Sequence, residues 1–186
     1  MLVGYFAKEP LNRAEAEFLG PVRDIGSVAE CIVSGAEDWY KHWKHNDFWR
    51  FDSEQLALSV VASDARQSFD VYAYEVLPVL FDTDGQQPLK MPHISVEPVP
   101  PDFDCLGYDV VVLNNMRSDK KQPPSYEFGC SPLTCNSLLK EVPVNDHCLL
   151  DSESDALDLA RRVAQSDGRM GEPGPYVVVR VLRKRK

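Results

Sequence analysis

At 186 residues and 44% hydrophobic content, the chain can build a packed core and suits one domain or two small ones. A net charge of -9 disfavours general nucleic-acid binding, because phosphate neutralisation supplies most of that affinity. No apolar run approaches the roughly eighteen residues that a membrane span needs.

The charge is uneven. Residues 1–98 carry 16 acidic and 8 basic side chains, residues 99–186 carry 13 and 12, and four of these last form the terminal "RKRK". That short run reads as a solvated terminus. The opening "MLVGYFAKEP" has no basic region ahead of a long apolar stretch, so it does not read as a secretory signal. Five cysteines, an odd count, fit a reduced cytoplasmic protein with free thiols better than a disulfide scaffold.

In chain order, "LVGYFAK" predicts a first strand. A long loop follows, containing "GSVAEC" and then "EDWYKHWKHNDFW", which holds all three tryptophans. Trp39 and Trp43 are four apart, the spacing that puts side chains on one helix face. Aromatic side chains among bases suit a recognition surface, while the bland alternative is core cover.

Residues 46–58, "NDFWRFDSEQLAL", then meet an echo at 145–157, "NDHCLLDSESDAL", with seven of thirteen residues identical. Each copy predicts a turn at Asn-Asp, a short strand ("FWRF", "HCLL") and a helix capped by Asp52 or Asp151. Gln55 stands where a capping box would place it, and Glu54 and Glu153 put negative charge in the first turn. The apolar stripes are Leu56, Ala57, Val60 and Val61, and Ala156, Leu157, Ala160, Val163 and Ala164. The strand-like "FDVYAYEVLPVLF" closes the first half. "CLGYDVVV", "GCSPLTC" and "PYVVVRVL" match its landmarks in order in the second.

The expected fold is therefore α+β: two duplicated strand–loop–helix–strand units, 1–85 and 105–186, related by a pseudo-two-fold in a mixed or antiparallel sheet. Five prolines in "PLKMPHISVEPVPPDF" make 86–104 an extended linker, and 1–186 is expected to be a single domain.

Functional residues should lie where the halves differ. Cys130, Cys135, His147 and Cys148 are candidate zinc ligands by type. Against this, Cys130 and Cys135 lack paired-knuckle spacing, and adjacent residues of a strand face opposite sides. Cys135 with His147, oriented by Asn136 or Asp146, is the enzymatic version, a thiolate next to an imidazole, but no local motif supports it. Cys31, His42 and His45 fit no triad. There is no phosphate-binding glycine motif, and "FDTDGQQP" lacks the spaced ligands of a calcium loop.

"LGYDVVV", "CSPLTCN", "VNDHCLLDSESDALDLARRVA" and "EPGPYVVVRVL" resemble the C-terminal half of uncharacterised bacterial proteins with G-[YF]-D, S-P-L-x-C-N and E-P-G-P-Y motifs. The resemblance implies a bacterial, intracellular origin and brings no activity or cofactor. Short acidic proteins of this kind are often immunity or accessory proteins. The expectation is a non-enzymatic binding protein of immunity or inhibitor type with a protein partner, no membrane and no cofactor. Its contact face combines Trp39, Trp43 and His45 with Cys135 and Asn136. The alternatives are a small thiol-dependent hydrolase or transferase and a structural zinc-binding protein.

Overall fold

Residues 1–8, 23–29, 46–63, 69–82, 85–88, 95–115, 125–134, 141–166 and 168–186 are described by the structure, a computed structural model. Strands β1 (Leu2–Lys8), β2 (Asp70–Asp82), β3 (Gly85–Pro88), β4 (Phe103–Asn115), β5 (Tyr126–Phe128) and β6 (Tyr176–Lys184) form one sheet. Two helices, α1 (Glu54–Ser63) and α2 (Glu153–Ala164), accompany it. The strand order is β1-β2-β6-β4-β5, with β3 folded back on β2, and every pairing among the described residues is antiparallel. The α+β class is as expected.

β-branched and aromatic residues make the long strands, and both sheet faces are covered. Val177, Val179 and Val181 of β6 join one apolar cluster with Tyr5, Tyr74 and Phe51. The alternate residues Tyr176 and Val178 join a second cluster under α2, whose Ala156, Leu159, Ala160 and Val163 are buried. In α1 the expected stripe is thin. Ala57 is buried and Val61 packs partly buried against the core, but Leu56 is more than a third exposed.

One local arrangement occurs twice. Gly4 and Gly107 sit at φ +137° and +138°, each beside a break in strand register. Tyr5 bridges Phe51, and Tyr108 bridges Leu150. A side chain at Gly4 would meet Arg50 Cβ at 2.6 Å, and one at Gly107 would meet the Leu150 carbonyl at 2.6 Å. In the central β2–β6 pairing Tyr74 faces Val181. Ala73 and Glu75 on one side face Leu182 and Arg180 on the other.

Two details depart from the sequence reading. "FWRF" and "HCLL" are turns rather than strands, because Trp49 (φ 56°) and Cys148 (φ 58°) adopt the left-handed region and reverse the chain. The caps are also one residue later than expected. Ser152 Oγ accepts the Asp155 amide at 3.1 Å, and Ser53 Oγ accepts the Leu56 amide at 3.2 Å. Asp52 and Asp151 instead accept Nδ2 of Asn46 and Asn145, at 3.1 and 3.0 Å. Each asparagine also holds its turn closed, taking the amides of Phe48 and Arg50, or of His147 and Leu149, on its own oxygen.

Candidate functional site

The segment 23–29 follows β1 in the chain but docks on the turn that precedes α2. The amides of Arg23 and Asp24 reach the Asp146 carbonyl at 2.7 and 3.1 Å, and the Gly26 amide reaches that of His147 at 2.7 Å. A Cβ at Gly26 would come within 2.7 Å of Leu149 Cδ1, so a larger residue here would displace that buried side chain. The reciprocal contact is made by β5. The Tyr126 amide donates to the Asp47 carbonyl at 2.7 Å, Trp49 Nε1 donates to Ser125 Oγ at 2.8 Å, and the Phe48 and Tyr126 rings stack. Each half therefore lends a segment to the other half's turn.

Two buried charges clamp the crossing segment. Lys8 donates from Nζ to the carbonyls of Ile25 and Ser27 at 3.1 and 2.8 Å. Asp109, fully buried, accepts Ser27 Oγ and the Val28 amide on one oxygen, and Ser131 Oγ and the Val110 amide on the other. Burial pushes the Asp109 carboxyl up from its ordinary value, with those four bonds opposing the shift. Burial likewise lowers the Lys8 ammonium to about 8, opposed by Asp109 and Asp24.

Outside this clamp lies a cluster that spans both halves. His147 Nδ1 is 2.6 Å from Asp24 Oδ1, and Arg183 donates to Asp24 Oδ2 at 2.8 Å. Burial pushes the Asp24 carboxyl up, but the bonds from His147 and Arg183 outweigh it and hold the pKa below the usual value. An ionised carboxylate can only accept, so Nδ1 of His147 carries the proton. The cluster lines a groove of about 720 Å³ that wraps the end of β6.

The terminal "RKRK" is thus no free tail. Arg183 and Lys184 lie in β6, Lys184 bonds Asp102 at 2.6 Å, Arg185 pairs with Asp104 and Lys186 with Asp70. Carboxylates distant in the chain pair with it, although the side chains of Arg185 and Lys186 stay exposed.

Of the sequence candidates, Trp39, Trp43, His45, Cys135 and Asn136 lie outside the described residues, as do Cys31 and His42. Cys130 is half-buried, and its carbonyl accepts the Val112 amide. Cys148 is fully buried, its thiol is 3.6 Å from the Leu133 carbonyl, and burial followed by the Asp109 charge pushes its pKa up to about 12. A buried thiol of raised pKa is a poor nucleophile at neutral pH. Among the described residues no group of three or more His, Cys, Asp or Glu side chains is arranged to hold a metal. The imidazole of His147 is oriented by Asp24, a residue of the first half.

Lys8, Asp24, Asp109 and Arg183 were missed by the sequence reading. The one available signal was a lone charge inside an apolar strand, as in "YFAK" and "GYDV", which demands a buried partner. Comparison with known proteins returns no match to a family model, to a curated protein or to a solved structure.

Proposed function

We propose that the chain is a non-enzymatic bacterial, cytoplasmic binding protein of immunity or inhibitor type, acting through a protein partner on an internally duplicated scaffold. The duplication is supported by the paired glycines, left-handed turn residues, asparagine brackets and reciprocal segment exchange described above. The observation that carries the binding reading is the use of the buried polar groups. Lys8 and Asp109, both buried, hold backbone in place. A frame fixed in this way leaves recognition to the loops that diverge between the halves. Those loops carry Trp39, Trp43 and His45, and Cys135 and Asn136, the proposed contact residues. No helix among the described residues is long and apolar enough to cross a membrane. The test is capture of the partner by the full chain, compared with Trp39→Ala and Trp43→Ala. Loss of capture with an unchanged melting temperature supports the reading, and a collapse of the melting temperature instead makes the tryptophans core residues.

A thiol-dependent hydrolase or transferase using Cys135 and His147 is the second reading, favoured by the 2.6 Å contact that orients the imidazole on Asp24. Its test is the pH dependence of Cys135 alkylation by iodoacetamide. A depressed apparent pKa that disappears in His147→Gln supports it, and ordinary thiol behaviour rejects it.

A further inference from the structure

The structure assigns the groove between α2 and the segment 141–144 as a docking site for a short basic and aliphatic segment of a protein partner. Leu150 and Leu159 are buried at its floor, and Val142 and Val144 line it half-buried. Glu141, Asp151, Asp155 and Asp158 stand exposed around them. This docking site rests on the reading that the chain acts through a protein partner, and it gives that partner a chemistry.

The surplus of negative charge survives a full count. Of the described residues lining the groove only Arg162 is a cation, and Arg161, just outside it, pairs with Asp158 at 2.7 Å. Four carboxylates therefore face two guanidinium groups. Among the described residues Glu141, Asp151 and Asp155 are in no ion pair. Asp151 and Asp155 are held instead by neutral donors, Asn145 Nδ2 at 3.0 Å and Ser152 Oγ at 2.6 Å. These bonds fix the two carboxylates without cancelling their charge, so a cation arriving there has less ordering to do. Asp158 lies beyond the first turn of α2, where the helix dipole no longer favours an acid. In the matching phrase of the first half, Leu56 and Ser59 stand where Asp155 and Asp158 do, so the turn and helix do not themselves call for those charges.

Floor and rim together select the occupant. Carboxylates alone attract any cation, but no group of three or more His, Cys, Asp or Glu among the described residues is arranged to hold a metal. The apolar floor favours a ligand that buries aliphatic carbon against it. Lysine and arginine can lay their stems along such a wall and keep their heads at the carboxylates, with an aliphatic neighbour filling the floor. A volume of about 370 Å³ lies at the lower end of ligand sites and takes a few side chains rather than a whole helix. Nucleic acid and anionic lipid carry the sign of the rim and are repelled.

The test titrates the full chain into a short, dye-labelled, amidated peptide of alternating lysine and leucine, read by fluorescence anisotropy. Two control peptides replace leucine by serine or lysine by glutamate. The expected result is saturable binding of the lysine–leucine peptide that fades as salt is raised, with each control at least tenfold weaker. Glu141→Gln/Asp158→Asn should weaken it about tenfold. If that variant fails to fold by circular dichroism, Glu141→Gln alone replaces it, with about threefold expected. Absent or unsaturable binding overturns the assignment, and so does unchanged affinity in the variant. Equal binding of the lysine–serine peptide overturns it too, since the apolar floor then selects nothing. Displacement by magnesium chloride beyond that of sodium chloride at equal ionic strength would make the groove a metal site and overturns it as well. The peptide titration needs no natural partner. Peptide binding without partner capture retires the partner reading alone, and capture without peptide binding retires the groove alone.

Discussion

Replacing Asn145 by alanine removes four hydrogen bonds at once. Its Nδ2 donates to the Leu106 carbonyl at 2.8 Å and to Asp151 at 3.0 Å, and its Oδ1 accepts the amides of His147 at 2.9 Å and Leu149 at 3.2 Å. At about 0.5–1.5 kcal/mol each, the gross loss is about 2–6 kcal/mol. The bond to Asp151 is exposed and belongs at the low end. Leu106 and Leu149 are buried, so their backbone groups bear more of the desolvation penalty. The expected cost is about 3 kcal/mol, which in a chain of this size lowers the melting temperature by about 6–12 °C. Asn46→Ala removes the corresponding bonds to Val3, Asp52, Phe48 and Arg50 and should cost about the same. Asn145→Asp keeps the acceptor but turns an oxygen toward the Leu106 carbonyl and the Asp151 carboxylate. It should be at least as damaging at neutral pH and recover in acid. Urea unfolding followed by tryptophan fluorescence and circular dichroism measures all three. A loss below about 1 kcal/mol at either asparagine would refute the view that these side chains hold the turns.

Lys8 titrates near 8 in the fold against an ordinary value of 10.5, so between those values the unfolded chain binds the extra proton and stability rises with pH. The full gain is about 3 kcal/mol, and about half of it falls between pH 8 and 9.5, where it should show as a rising urea midpoint below the range where burial-raised Tyr5 and Tyr72 begin to work the other way. Lys8→Met should flatten that rise and destabilise the fold at neutral pH, since two buried carbonyls lose their donor. Gly107→Ala and Gly4→Ala should each cost about 3 kcal/mol or more by denaturant unfolding, because both the dihedral and the space exclude a Cβ. Ser152→Ala should cost about 1 kcal/mol through the lost cap, more than Asp151→Ala costs through that cap.

The long strands were legible because alternating β-branched and aromatic residues in "DVYAYEV" and "YVVVRVL" leave no other reading. Both helices were legible from their first-turn acids and small apolar residues. The turns at 46–51 and 145–150 were not. Their apolar composition imitates a strand, and the left-handed residues Trp49 and Cys148 belong to types that do not advertise that conformation. The cap fell on serine because the preceding aspartate was already bonded by an asparagine, a competition that spacing cannot resolve. The charged clusters were illegible for a different reason. Asp24 meets His147 across 123 residues and Arg183 across 159, and Asp109 meets Ser27 across 82. No local pattern encodes such pairings.

The central claim is a division of labour, with buried charges holding the frame and divergent loops binding the partner. It is tested most directly by measuring partner affinity and melting temperature side by side for Asp109→Asn and Trp43→Ala. Asp109→Asn turns an amide NH2 toward two of the four donors around the carboxylate, of which the serine hydroxyl can rotate to accept and the backbone N–H cannot. It should lower the melting temperature by several degrees while leaving Kd within about twofold below the transition. Trp43→Ala should raise Kd about 30-fold, the equivalent of about 2 kcal/mol, with the melting temperature within about 2 °C of the parent. The reverse pattern, with Asp109→Asn abolishing binding in a stable fold and Trp43→Ala merely destabilising it, would contradict the account.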